Sequence, residues 1–149
     1  MIIVDRFVID TVSLINYFNI LFDEEEKISK EARRIINSGF DLYSPIKLII
    51  PSTVFIELHT KFIKDEEFAR KIYYEVIFKI KESRDIEIKP LEKEVLEEFI
   101  KIDDSIVSLE HNDKLILSAA IQLKCSLITI DPKIISYVNK TKVIPSVIQ

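Results

Sequence analysis

Short apolar runs alternate with longer stretches of helical periodicity along the whole chain. Residues 6–10 (RFVID) read as a buried strand that ends on Asp10. Residues 11–22 are strongly apolar, softened by Asn16 and Asn19, and predict a buried helix. Residues 24–38 place Ile28, Ala32, Ile35 and Ile36 on one face of an amphipathic helix, with Gly39 where a C-cap belongs. Residues 47–50 form a second strand. Pro51 and Ser52 then open a helix, Ser52 as its N-cap, with Val54, Phe55, Leu58 and Phe62 as its apolar face. A further helix spans 66–82, and a third strand at 86–89 is stopped by Pro90. Residues 91–107 repeat Leu91, Val95, Phe99, Ile102 and Ile106 at spacings of three and four, which is helical. Asn112 caps a helix to about Lys124, a fourth strand covers 126–130, a short helix covers 132–138, and a fifth strand covers 142–144. Strands this short and apolar, separated by helices, belong to a parallel sheet covered on both faces. The expected fold is a three-layer α/β/α arrangement with a five-stranded parallel sheet, one domain over residues 1–149.

Composition narrows the chemistry. The 149 residues include one Gly, one Cys (Cys125) and two His (His59, His111). A single Gly excludes glycine-rich phosphate loops, and one Cys with two His excludes a Cys/His zinc centre, a disulfide framework and a redox dithiol. Hydroxyls, lysines and carboxylates remain. No apolar run approaches the roughly 18 residues that span a bilayer, and the first residues lack a signal-peptide pattern, so the expected location is cytoplasmic with no membrane partner. A net charge of −4 argues against sequence-independent coating of DNA but leaves room for a local basic groove.

In open parallel sheets, sites lie at the carboxyl ends of the strands. Two predicted strands end on an acid, Asp10 and Asp131; each alone reads equally well as a helix N-cap. Glu57 follows Val54 by three residues and so shares a face with apolar neighbours, unless it simply points to solvent. Asp113 opens the most apolar helix, where an acid also answers the helix dipole. Brought together, these carboxylates repel and need protons or a cation to neutralise them. Oxygen ligands suit Mg²⁺ or Mn²⁺, and a hydrated ion of that kind serves phosphodiester hydrolysis.

The segments Val-Ile-Asp10-Thr11, Pro-Ser-Thr-Val-Phe-Ile-Glu57-Leu, Asn-Asp113-Lys-Leu-Ile-Leu-Ser-Ala-Ala and Leu-Ile-Thr129-Ile-Asp131, in that order, resemble the PIN-domain family, which includes VapC-type toxins and many ribonucleases. The resemblance covers essentially the whole chain and is most specific in its final third. It implies a sheet of order 3-2-1-4-5, with Asp10, Glu57, Asp113 and Asp131 as an acidic metal-binding quartet and Thr129 as the hydroxyl near the last acid. It also implies Mg²⁺- or Mn²⁺-dependent endoribonuclease activity. The VapC-type members further imply a toxin of a toxin–antitoxin pair, with RNA as substrate, an antitoxin protein as partner and a homodimeric state.

Two positions depart from the family pattern. Many members carry Ser or Asn two residues after the first Asp; here Val12 stands there and Ser13 one further on. Many carry another acid soon after the last; here Pro132 and Lys133 follow Asp131. These departures favour an alternative, a catalytically weak PIN-like module that binds RNA or a protein partner. A haloacid-dehalogenase-like phosphatase fails on Val12, and a receiver domain fails on Lys89-Pro90 at the end of strand three. His59 falls on a different helix face from Glu57, and His111 flanks Asp113 within reach of a phosphate. Cys125 reads as an apolar filler. Arg33, Arg34, Lys61, Lys64, Arg70 and Lys71 are solvated helix faces, with an RNA groove as the alternative for some of them. Residues 14–22 and the aromatic helix with Tyr73, Tyr74 and Phe78 read as core, or as an oligomer interface where they exceed what one domain buries.

Overall fold

Apolar runs of a few residues pair most readily when both faces are covered, and here they do. In the computed structural model, which describes residues 5–149, β1 (Asp5–Ile9), β2 (Ile46–Pro51), β3 (Ile86–Lys89), β4 (Ser126–Ile128) and β5 (Val147–Ile148) form one parallel sheet. Its order is β3-β2-β1-β4-β5. Val8 of the central strand lies opposite Ile49 on one side and Leu127 on the other, and all three are fully buried. Alternate side chains point to opposite faces. Ile46 and four consecutive residues from Leu48 to Pro51 are nevertheless all buried, so both faces of β2 are covered. Ile35, Ile36, Ile72, Val76, Ile116 and Leu117 supply much of that cover from the helices. Among the described residues no helix is long and apolar enough to cross a membrane.

The helices differ from expectation where a polar residue finds a tertiary partner. Residues 11–22 are split into α1 (Thr11–Tyr17) and α2 (Asn19–Phe22) at Phe18. Asn16 explains part of this: its amide donates to Val12 O at 3.2 Å and accepts from Lys27 N at 2.5 Å, tying the following loop to α1. The expected helix at 24–38 begins only at Lys30, as α3 (Lys30–Phe40), because Ser29 caps it by accepting from Ala32 N at 3.0 Å. The preceding glutamates stay outside, and Glu26 pairs with Arg33. Gly39 lies inside α3 rather than beyond it. A Cβ there would stand 2.9 Å from Leu48 Cβ, so Gly39 serves close helix–sheet approach.

Ser52 is the first residue of α4 (Ser52–Glu57), not its cap, and its hydroxyl accepts from Leu91 N at 3.1 Å. A π-helical turn, Leu58–Phe62, continues α4. The helix expected at 66–82 is continuous but composite: α5 (Glu66–Ile72), a second π-helical turn (Tyr73–Ile77) and α6 (Phe78–Glu82). The helix expected at 91–107 shortens to α7 (Lys93–Lys101), and Tyr137 OH accepts from Asp103 N at 3.0 Å in the chain that leaves it. α8 (His111–Leu123) is flanked by Glu110, so Asn112 is helical and does not cap it. α9 (Pro132–Thr141) closes on Lys142 in the left-handed conformation, which removes residues 142–144 from the sheet. Ile144 is buried as a loop residue, and Val147 and Ile148 form the fifth strand beside Leu127 and Ile128.

Candidate active site at the carboxyl edge of the sheet

Register decides which residues meet where the central strands end. Ile9 lies opposite Ile128, so Asp10 and Thr129 leave the sheet side by side, with Asp10 N donating to Ile128 O at 3.2 Å. Asp10 is 3 % exposed and flanks α1, where one carboxylate oxygen accepts from Ser13 N at 2.9 Å. Its other oxygen accepts from the Thr129 hydroxyl. That hydroxyl oxygen itself accepts from Asp131 N at 3.1 Å. Asp131 caps α9, accepting from Lys133 N at 2.8 Å and Ile134 N at 3.3 Å. Both strand-end acids are therefore helix caps, and each retains an oxygen directed elsewhere than its own helix. Burial raises the Asp10 carboxyl above its ordinary pKa, against hydrogen bonds from Thr129 and Ser13 that lower it.

Asp113 stands in the first turn of α8 and is partly buried. Its pKa is raised to about 7, first by burial and then by the charges of Asp131, Glu57, Asp10 and Glu110. The four sequence-flagged acids thus lie within electrostatic reach of one another, although they come from four different segments. Glu57 ends α4, is 6 % exposed, and its Oε2 has no hydrogen-bond partner among the described residues. The hydroxyls of Thr11, Ser13 and Thr53 are buried and unpartnered in the same way. An unsatisfied buried carboxylate oxygen costs free energy until a donor, proton or cation meets it. Among the described residues, no three His, Cys, Asp or Glu side chains close on their own into a direct-ligand cluster.

The remaining flagged residues separate cleanly. His59 is exposed, and His111 is exposed with its ring centroid 6.3 Å from that of Phe99. Cys125 is buried with its thiol pushed up by burial, which suits a filler. Arg33 and Arg70 are engaged by Glu26 and Glu66, and Lys61 approaches Glu110 at 3.5 Å. Tyr73, Tyr74 and Phe78 are 43 %, 68 % and 48 % exposed, so that aromatic stripe is surface rather than core. Sequence reasoning missed Glu110 and Thr53. Glu110 precedes Asp113 by three residues and Thr53 precedes Glu57 by four, helical spacings that would have found both.

The family model for the PIN domain matches residues 7–140. No curated protein sequence matches the chain. Among solved structures, the fold is similar to that of VapBC2 from Rickettsia felis bound to a DNA fragment from their promoter. That match has a TM-score of 0.63 and 16 % identity, over 97 % of both chains. It is also similar to a toxin–antitoxin complex from Klebsiella pneumoniae, with a TM-score of 0.59 and 17 % identity over 95 % of both chains.

Proposed function

The chain belongs to the PIN-domain family, and from that premise we propose that it is a Mg²⁺- or Mn²⁺-dependent endoribonuclease acting at the carboxyl edge of its sheet. The observation that carries this reading is the approach of Asp10, Glu57 and Asp131 to Asp113, close enough for all three charges to be felt together with burial at Asp113. The donor set fits a hard divalent cation. It is all oxygen, and it includes a buried carboxylate oxygen without a partner among the described residues. Asp10, Glu57, Asp113 and Asp131 would hold the ion. When bound it supplies a more acidic water and charge neutralisation at phosphate oxygens.

The protein's own residues do the rest. Asp113 must release its proton to take part, which it does near neutrality. Thr129 fixes the rotamer of Asp10 and links it to the backbone at Asp131, so the two strand-end acids are oriented as one unit. Ser13 N and the Thr129 hydroxyl hold the two oxygens of Asp10, and the α9 amides hold one oxygen of Asp131, leaving its other oxygen for a ligand.

We further propose a toxin of a toxin–antitoxin pair, cytoplasmic, homodimeric and restrained by an antitoxin. The likeness of the fold to two toxin–antitoxin proteins and the exposed Tyr73, Tyr74 and Phe78 stripe support that part. The second reading, a catalytically weak module that binds RNA or a protein, is favoured by Pro132 and Lys133 after Asp131 and by the absence of a preformed direct-ligand cluster among the described residues. One assay separates them. Purified protein should cleave single-stranded RNA with Mg²⁺ or Mn²⁺, stop with EDTA, and lose cleavage in Asp113→Asn with its fold intact. Cleavage by Asp113→Asn at the wild-type rate overturns the site assignment, and no metal-dependent cleavage at all favours the weak module.

A further inference from the structure

Beside the acidic edge lies a second recess that none of this uses. A cleft of about 380 Å³ opens between α2 and the chain joining α4 to α5. Its floor is aromatic, with the Phe22 and Phe68 rings edge to face at 5.7 Å, and Phe62 stands on the wall. Lys61 and Lys64 line the same wall.

We propose that this cleft is a nucleotide subsite for the RNA strand next to the scissile bond, with Lys61 and Lys64 on phosphate oxygens and the Phe62–Phe68 wall against a base. The proposal rests on the ribonuclease reading and adds where the strand runs. Three observations support it. The cleft has the size of a small-ligand site and combines aromatic side chains with charged groups of both signs. It adjoins the acids: Lys61 follows Glu57 by four residues along continuous helix, and its ammonium is 3.5 Å from Glu110, which precedes Asp113 by one turn. Its lysines are available, since Lys64 makes no ion pair among the described residues and Lys61 is half-exposed in its pair.

Three acids also line the cleft, and they orient the strand. Asp65 is committed to capping α5, where it accepts from Phe68 N at 2.8 Å. Asp23 and Glu24 belong to the segment that ends α2, a different part of the chain from the lysines, and disfavour phosphate on their own part of the lining. Phosphate contacts of this kind supply affinity and salt dependence, while aromatic faces take bases of any sequence.

The test uses the full chain and a short fluorescent single-stranded RNA of mixed sequence. Binding is measured over a salt series with Ca²⁺ in place of Mg²⁺, and cleavage is measured with Mg²⁺. Lys61→Gln/Lys64→Gln should weaken binding roughly tenfold and reduce the salt slope by about two, with KM rising more than kcat falls. Lys61→Arg/Lys64→Arg should restore both. Phe62→Leu, which keeps the apolar packing, should weaken binding at an unchanged slope. RNA affinity and slope untouched by the lysine substitutions overturn the subsite, whether or not binding of a protein partner changes. Binding that depends on the lysines in a protein that cuts no RNA supports the subsite and overturns the nuclease reading. Cleavage with lysine-independent binding does the reverse.

Discussion

The Thr129 hydroxyl donates to the Asp10 carboxylate across 119 residues of sequence, and the same oxygen accepts from Asp131 N. One side chain thereby couples the ends of two neighbouring strands and the caps of two helices. Asp10 is almost fully buried, so a lost donor is not replaced by water without cost. Thr129→Val should destabilise the fold by about 1–3 kcal/mol, the range for leaving a buried polar group unsatisfied. Thr129→Ser should recover most of that loss. Urea unfolding of the two variants checks this, and equal midpoints for wild type and Thr129→Val would show that the bond contributes nothing.

Asp131 performs two separable tasks. As the cap of α9 it accepts from two backbone amides, a role that Asn fills nearly as well. As a member of the proposed ion site it needs its charge. Asp131→Ala should cost about 1 kcal/mol of stability, and Asp131→Asn only a small part of that. Both should lose metal-dependent cleavage to the same extent. Full cleavage by Asp131→Asn would reduce Asp131 to a cap.

Asp113 and Asp10 give the metal-free protein an unusual pH dependence. Asp113 is held at about 7 in the folded chain against an ordinary 3.8. Between those values the folded chain keeps a proton that the unfolded chain has released, so stability falls as pH rises. The contribution is complete below the unfolded value and gone above the folded one. Asp10, also raised, acts in the same direction. Asp103 acts oppositely, held low by Ser105, but it is fully exposed. Thermal melts without metal should therefore give a higher midpoint at about pH 5 than at about pH 8. Asp113→Asn should flatten that difference and raise the midpoint at the higher pH. Added Mg²⁺, which takes the deprotonated form, should stabilise wild type more at the higher pH. A metal-free midpoint that rises with pH in this window, unchanged in Asp113→Asn, would contradict the electrostatic account.

What the sequence revealed follows from what its patterns encode. The strand at 86–89 and the helical stretch at 66–82 are local patterns bounded by Pro90 and by charged termini, and both appear with those bounds. Part of the break at Phe18 lies in Asn16 reaching Lys27, a contact that periodicity cannot register. The fifth strand is read at 142–144 but lies at 147–148, because Val143-Ile144 and Val147-Ile148 are equally short apolar pairs. Lys142 in a left-handed conformation decides between them. The acids were visible as strand-end and helix-start residues. Their mutual approach needs the register of β1 against β4, and the partnerless oxygen of Glu57 needs its burial; neither is written in spacing.

Gly39 sets two opposing effects against each other in one substitution. It lies within α3, where replacing Gly by Ala gains up to about 1 kcal/mol of helix propensity. The added methyl group would meet Leu48 Cβ at 2.9 Å. That neighbour cannot swing aside, because a Cβ is fixed by its backbone and Leu48 sits fully buried in β2, the strand next to the centre. Relief requires the helix and sheet to separate, at the roughly 1–3 kcal/mol typical of overpacking. Gly39→Ala should therefore destabilise by about 1–2 kcal/mol net, despite its favourable propensity. Leu48→Ala should not rescue it, since the offending Cβ remains. In urea the double variant should be no more stable than Gly39→Ala alone. A higher midpoint for Gly39→Ala than for wild type would mean that α3 can move off the sheet at no cost.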